Sequence, residues 1–307
     1  MKSLPLTTAL VVLAAPALAE MPQVEPILSV TSVSAPSTEV RICAGAPGGA
    51  YHSIASQMLG LVQSAAGVPV SVESCGGTVG SLRRLAAGEA EAAIVQLDGL
   101  VWIKDTAPEL YARIAPAAAV LTEDMIGVCR RDSDYDDLND AAQERGASIA
   151  VAGGAESGSL LTLNVLAGFD EDFAKPDYRI SGFWEQALGD VRGGIAVCAF
   201  GVMSTDAPVW RDLNDDFGDE LRIVGFWDGD MRDLELAGRQ VYGWRAIPKD
   251  LKSLDRLLDW NGKGRLWSPE VGVVPALVIY RTDMLPQGSA PLTDAATAVA
   301  KLKPTKE

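Results

Sequence analysis

The sequence predicts an α/β fold made of two similar, doubly wound lobes with a cleft between them. From residue 40 to residue 96, short apolar runs alternate with helical patterns, which is typical of a parallel sheet covered by helices. The same order of strand, glycine-ended turn and helix returns in residues 148–166. Two further apolar runs, residues 125–130 and 275–281, predict that the chain passes between the lobes twice.

The first unit of the pattern lies in residues 40–58, VRICAGAPGGAYHSIASQM. Residues 40–44 predict a buried strand, and Ile54 and Met58 have the spacing of one helical face. The turn between them contains Gly45, Pro47, Gly48 and Gly49. A glycine turn that leads into a helix N-terminus favours an anion site, because the first amides of the helix have no internal partner. An ordinary strand-to-helix turn is the alternative.

Two more strand ends carry polar or glycine-rich turns. Residues 68–73 predict a second strand, followed by Gly76, Gly77 and Thr78. Residues 92–96 predict a third strand, which ends at Gln96 and is followed by Asp98. Ligands bind doubly wound sheets beyond the carboxyl ends of the strands, so these turns predict a binding site.

Both ends of the chain and the lobe boundaries are predicted as well. Residues 1–19 have the charge, apolar core and A-x-A ending of a secretory signal peptide, which predicts export to the periplasm. Residues 20–39 are expected to form a flexible leader. We then expect lobe I in residues 40–122 and lobe II in residues 123–230. Residues 231–307 are expected to return to lobe I and to end in a tail.

Composition excludes several classes of function. A formal net charge of −15 argues against nucleic-acid binding. His52 is the only histidine, and the four cysteines lack metal-ligand spacing, so neither a metal site nor a Ser-His-Asp triad is expected. No cofactor is expected, and the protein is expected to be a monomer. The cysteines fit either disulfides in an exported chain or small apolar core residues.

Three stretches carry a resemblance to a known family. GAPGGAYHSIA, ESCGGTVGSLRRLAAGEAEAAIVQLD and VGVVPALVIYRTDMLP resemble motifs of the TAXI branch of TRAP-transporter solute receptors, and Ser157-Gly158-Ser159 resembles the turn of their second lobe. The resemblance implies a type II periplasmic-binding-protein fold, with a hinge crossed twice. It implies a small carboxylate or amino-acid ligand, glutamate-like or dicarboxylate, and a membrane permease as partner. It also implies disulfides Cys43–Cys75 and Cys129–Cys198.

The residues expected to bind the ligand are Pro47, Gly48, Gly49, Tyr51, Gly77, Thr78, Ser81, Gln96, Asp98, Glu156, Ser157, Gly158 and Ser159. The ligand carboxylate is expected on amides near Gly49 and Thr78, with Gln96 and Tyr51 fixing its orientation. Ser81, Thr78 and Glu156 depart from the residues usual in the family.

Two of these residues, and two alternative functions, are left open. Asp98 fits either a ligand contact or a helix cap. Glu156 fits a helix cap, a carboxylate inside the anion site, or a partner for a ligand ammonium. Asp98 and Glu156 would serve as acid and base if the clamp were a cofactor-free enzyme, and a sensor is another alternative. His52, Arg83 and Arg84 are expected outside the site.

Overall fold

The computed structural model describes residues 21–33, 35–144, 146–248, 251–258, 268–285 and 289–302. The predicted signal peptide and the last residues of the predicted tail lie outside the described residues. The strands are β1 Val40–Ala44, β2 Val70–Ser74, β3 Ala92–Gln96, β4 Ile114–Arg130, β5 Ser148–Ala152, β6 Asp177–Ser181, β7 Cys198–Met203, β8 Leu221–Val224, β9 Glu235–Leu236, β10 Arg239–Gln240, β11 Gly243–Ala246 and β12 Glu270–Arg281. The helices are α1 Ala50–Ala66, α2 Thr78–Ala87, α3 Leu97–Thr106, α4 Pro108–Tyr111, α5 Leu138–Gln143, α6 Gly158–Phe169, α7 Trp184–Arg192, α8 Val209–Phe217 and α9 Ala290–Lys301, and short 3-10 helices span Glu171–Ala174, Gly229–Asp233 and Lys252–Leu254.

One mixed sheet runs through both lobes in the order β2-β1-β3-β12-β4-β7-β5-β6. The pairs β1–β2 and β1–β3 in lobe I are parallel, as are β5–β6 and β5–β7 in lobe II. Strands β11 and β8 add to β12 and β4. The predicted α/β fold with two doubly wound lobes is therefore confirmed.

The two long strands β4 and β12 connect the lobes. Residues 114–123 of β4 pair antiparallel with β12, whereas residues 124–130 pair with β7 and β8. Strand β12 in turn pairs with β3 of lobe I. The chain thus enters lobe II along β4 and returns along β12, which are the two crossings predicted from the apolar runs.

The return to lobe I begins later than the expected boundary at residue 231. Ile247, Leu254 and Leu257 are buried in lobe II, in one cluster with Trp210 and Leu213 of α8. The amide of Ile223 also donates to the carbonyl of Leu257. These side chains cover the apolar surface of lobe II, so this part of the chain belongs there and the return takes place on β12.

A continuous apolar core joins the lobes on one side of the sheet. Leu82 of α2 and Ile103 of α3 are buried in the same cluster as Leu161 and Leu166 of α6. The other side of each lobe has a core of its own, under α1 and α9 in lobe I and under α7 and α8 in lobe II. Apolar contact between α2, α3 and α6 therefore stabilises this arrangement of the lobes.

The two disulfides implied by the resemblance are present. Cys43 of β1 is bonded to Cys75, which follows β2, with the Cα atoms 5.6 Å apart. Cys129 of β4 is bonded to Cys198 of β7, with the Cα atoms 4.2 Å apart. Each bond joins neighbouring strands, one in each lobe, and it constrains the unfolded chain.

The predicted leader lies against both lobes. Met21 and Val24 are buried in the core that joins them. The side chain of Asn164 on α6 accepts from the amide of Val24 at 2.9 Å and donates to the carbonyl of Pro22 at 3.0 Å. The amide of Thr31 donates to the carbonyl of Ala86 in α2 at 2.8 Å. We call residues 21–33 the strap. It was expected to be flexible, but its buried apolar side chains and the hydrogen-bonded amides of Val24 and Thr31 hold it against the lobes.

Candidate functional site

Three side chains from different elements meet where β4 passes from lobe I to lobe II. Tyr51 lies in the first turn of α1, Gln96 ends β3, and Glu123 lies on β4 at the crossing. The hydroxyl of Tyr51 donates to Glu123 Oε2 at 2.5 Å, and Gln96 Nε2 donates to the same oxygen at 3.1 Å. All three residues are buried. We call this cluster the floor of the cleft.

The Glu123 carboxylate is buried among neutral donors. Burial, with a smaller contribution from the negative charges of Asp98 and Asp124, raises the pKa of Glu123 to about 7, although the hydrogen bonds from Tyr51 and Gln96 oppose the rise. A buried carboxyl whose pKa is shifted in this way is a candidate functional group. Sequence reasoning missed Glu123, although it lies two residues before the predicted crossing at residues 125–130.

Asp98 links the two lobes. It lies in the first turn of α3 and is fully buried. Its Oδ2 accepts from Thr162 Oγ1 of α6 at 2.6 Å and from the Tyr242 hydroxyl at 3.1 Å. Burial raises the pKa of Asp98 to about 6, against the effect of these hydrogen bonds. Asp98 was expected to contact the ligand or to cap a helix, and neither expectation included a contact between the lobes.

A second carboxylate on β4 has a cationic partner. Asp124 is fully buried, and Arg245 of β11 donates to both of its oxygens at 2.6 Å. The amide of Thr205 donates to Asp124 Oδ2 at 2.9 Å. A bidentate pair of this kind with an extra amide donor compensates the buried charge well.

The turns of the two lobes touch directly at two glycines. A Cβ atom at Gly77, whose φ is +123°, would lie 2.9 Å from the carbonyl oxygen of Glu156. A Cβ atom at Gly158 would lie 2.0 Å from Gln96 Oε1. In the first turn of α2, the amide of Val79 donates to the Glu156 carbonyl at 3.2 Å. The lobes are therefore closed on each other here, and only glycine permits this approach.

Three of the hydroxyl groups expected to bind ligand accept hydrogen bonds from backbone amides of the protein. Thr78 Oγ1 accepts from the Gln96 amide at 3.2 Å. Ser157 Oγ accepts from the Leu160 amide at 3.2 Å and so caps α6. Ser159 Oγ accepts from the Val202 amide at 2.9 Å. Ser81 is fully buried, and its Oγ has no hydrogen-bond partner among the described residues.

The expected site residues thus form three groups. Tyr51, Thr78, Gln96, Asp98 and Gly158 are joined by contacts around the floor. Gly77, Glu156, Ser157, Ser159 and Ser81 belong to the turns that pack at the lobe boundary or to the buried first turn of α2. Pro47, Gly48 and Gly49 are exposed residues before α1.

Glu156 has a partner that the sequence did not indicate. Its Oε1 accepts from Arg83 Nη1 of α2 at 2.7 Å, and Arg83 also donates to the carbonyl of Glu25 in the strap at 3.1 Å. Arg83, which was expected only to lie outside the site, therefore connects α2 with the turn before α6 and with the strap. Beside this ion pair lies a surface recess of about 400 Å³, lined by residues 74–76, by residues of α2 and by Glu156. Asp98 and Glu156, the acid and base of the enzyme alternative, have separate partners: Asp98 accepts from Thr162 and Tyr242, and Glu156 accepts from Arg83.

Within the described ranges, no group of three or more His, Cys, Asp or Glu side chains is arranged to hold a metal ion. Among the helices of these ranges, none has both the length and the apolar character needed to span a bilayer.

The chain has the two-lobed fold of a periplasmic binding protein. One solved structure with this fold is the arginine-, lysine-, histidine-binding protein ArtJ from Geobacillus stearothermophilus. It is 11% identical, the match covers 85% of this chain and 89% of that chain, and the TM-score is 0.50. Another is described as a periplasmic transporter; it is 17% identical, the match covers 87% of this chain and 84% of that chain, and the TM-score is 0.51. At these identities the likeness shows the fold alone. No protein-family model matches the sequence, and neither does any curated protein.

Proposed function

We propose that this protein is a periplasmic solute-binding protein that captures a small amino acid or carboxylate between its lobes. The observation that carries the proposal is the position of the floor. Tyr51, Gln96 and Glu123 meet where β4 leaves lobe I, and β12 provides the second crossing beside it. Polar groups at such a crossing are within reach of both lobes, so a ligand there favours the closed form.

The resemblance to TAXI receptors supports a TRAP permease as the partner that accepts the ligand. The segments that carry it, GAPGGAYHSIA and the run through Gln96, include Tyr51 and Gln96 of the floor. A chain with a predicted signal peptide and this fold is suited to work outside the cytoplasmic membrane. Delivery then requires that the closed, loaded receptor opens against the permease.

Native mass spectrometry of the exported protein tests ligand capture. Gln96→Leu removes both the donor to Glu123 and the contact with lobe II, so the variant is expected to lose the retained ligand. Gln57→Leu, on the exposed face of α1, is the matched control and keeps it. Equal retention by wild type and both variants would place the ligand away from the floor.

Small-angle scattering tests lobe motion. Stripping the ligand by mild denaturation and refolding should increase the radius of gyration, and returning it should decrease the radius again. A constant radius at saturating ligand argues against a clamp.

The permease class needs a separate measurement. In cells that express the receptor with its permease, uptake through a TRAP system should stop when the ion gradient is collapsed and should persist when ATP is depleted at constant gradient. Uptake that follows ATP would contradict the TRAP partner and leave ligand capture intact.

A further inference from the structure

We propose that the group recognised at the floor is a cationic amine of the ligand, held by Glu123 and Gln96, rather than its carboxylate. The inference deepens the proposed solute-binding function and rests on it. It also departs from the expectation that the ligand carboxylate lies on amides near Gly49 and Thr78.

The first argument is charge. Glu123 Oε2 accepts from Tyr51 and Gln96, both neutral, and the structure gives the carboxylate no ion pair among the described residues. The nearby cation Arg245 is bonded to both oxygens of Asp124, and Arg83 is paired with Glu156. A buried carboxylate without a cation is unfavourable, and a ligand ammonium beside it would remove that cost.

The second argument is an unpartnered acceptor. Gln96 is 2% exposed, and its Nε2 is engaged by Glu123, so its Oε1 faces lobe II at Gly158. This Oε1 has no hydrogen-bond donor among the described residues. An ammonium has three N–H donors and no acceptor, which complements a carboxylate and an amide oxygen at one place. A carboxylate there would meet two acceptors and a like charge.

The third argument concerns the donors that a carboxylate would need. In the first turn of α2, the Val79 amide donates to the Glu156 carbonyl, and the Gly77 backbone lies against the same residue. Thr78 Oγ1 accepts from the Gln96 amide. Lobe II therefore occupies the α2 part of the position predicted for the ligand carboxylate. Among the described residues of this boundary, Gln96 Oε1 and Asp98 Oδ1 are buried acceptors without a hydrogen-bond partner, and the Ser81 hydroxyl is the unpartnered group that can also donate.

Matched compounds separate amine from carboxylate recognition. Calorimetry and thermal shift on the full exported chain would use the proteinogenic amino acids, the same acids without the amino group, and the same amines without the carboxyl group. Binding is expected from amine-bearing members and absent from the acids that lack nitrogen. Whether the free amines bind as well decides between an amino acid and a simple amine as the source of the group.

Variants connect that preference to the floor. Glu123→Gln keeps the shape and the hydrogen bonds to Tyr51 but removes the charge, so affinity for the amine should fall about 10- to 100-fold. Glu109→Gln, an exposed carboxylate on α4, is the control and should bind as wild type. Circular dichroism and melting verify that both variants are folded.

Three results would overturn the inference. Acids without nitrogen that bind as tightly as amino acids contradict it, as does unchanged affinity in the Glu123→Gln variant. A ligand retained by the purified protein that does not react with dansyl chloride, an amine reagent, contradicts it too. In each case the protein still binds a solute, so the proposed function survives. No retained ligand and no binding to any compound would instead overturn both.

Discussion

Glu123 and Asp124 are neighbours on β4, both are buried carboxylates, and their surroundings are opposite in kind. Asp124 receives two hydrogen bonds from Arg245 and one from the Thr205 amide. Glu123 receives one bond each from a tyrosine and a glutamine, and its pKa rises to about 7. The charge of Asp124 is compensated by an arginine of the protein itself, whereas the charge of Glu123 has no cationic partner among the described residues.

Strand geometry explains how two adjacent residues come to differ so much. Successive side chains of a strand point to opposite faces of the sheet. Asp124 faces β11 and the loop after β7, while Glu123 faces α1 and the end of β3. One crossing strand therefore carries a structural ion pair on one face and the floor of the cleft on the other. Four changes test this comparison.

Arg245→Met should have the largest effect on stability. Asp124 would then remain fully buried without its cation, and breaking such a pair costs about 3–5 kcal/mol. Arg245 is itself 40% exposed, which places the expected loss near the lower value. Urea unfolding at pH 7 measures it, with the exposed Arg211→Met as control. A loss below about 1 kcal/mol would mean that Arg245 contributes little to compensating the charge of Asp124, and the contrast with Glu123 would then disappear.

The pH dependence of stability should follow Glu123. Its pKa is higher in the folded state, about 7, than the ordinary 4.5, so the folded state binds the proton more tightly. The contribution of Glu123 to stability is therefore greatest below about pH 4.5 and decreases until about pH 7, by about 3 kcal/mol at 1.36 kcal/mol per unit. Asp98, raised to about 6, acts in the same direction at lower pH.

Urea midpoints from pH 4 to pH 8 measure this slope. In the Glu123→Gln variant only the contribution of Asp98 and other groups remains, so the curve should be flatter between pH 5 and pH 7. Parallel curves for wild type and variant would show that Glu123 does not titrate as its surroundings require.

Tyr51→Phe should destabilise the protein by about 1.5–3 kcal/mol at pH 8, because it removes a hydrogen bond to an ionised group. At pH 5, where Glu123 is neutral, the loss should shrink toward about 1 kcal/mol. Tyr280→Phe, a partly buried tyrosine on β12, is the control and should show no pH-dependent difference. A loss independent of pH would mean that the hydroxyl does not act through the charge of Glu123.

Thr205→Val should have the smallest effect. Its Oγ1 accepts from Arg245 Nη2 at 3.3 Å, but Arg245 keeps both bonds to Asp124 and the Thr205 amide is unchanged. The expected loss is about 0.5–1.5 kcal/mol by urea unfolding. A loss as large as that of Arg245→Met would show that the hydroxyl positions the arginine.

Local patterns predicted the fold, because strands, turns and helix starts are encoded within a few residues. The alternation in residues 40–96 and its return after residue 148 predicted both lobes, and two apolar runs predicted the crossings. Tyr51 and Gln96, which meet at Glu123, were likewise singled out from the ends of their elements, and their contact with a ligand stays a prediction.

Partners distant in sequence were the part that could not be predicted. Glu123 meets Tyr51 across 72 positions, and Arg83 meets Glu156 across 73, so no local pattern connects them. The same holds for the strap, which lies in the segment of residues 20–39 that was expected to form a flexible leader because it is rich in Pro, Ser, Thr and Val and has no clear period. Its satisfied amides depend on Asn164 and α2, which only the folded chain brings near.

The strap also bears on the order in which the chain can fold. Pro22 contacts Asn164 over 142 positions, and Thr31 contacts Arg281 over 250. These are among the first described residues to be synthesised, yet their last partner lies at the end of β12. Contacts of such long sequence separation form late and slow folding. Until β12 is complete, Met21 and Val24 lack the finished surface that buries them, so the newly made chain exposes apolar side chains that the mature protein covers.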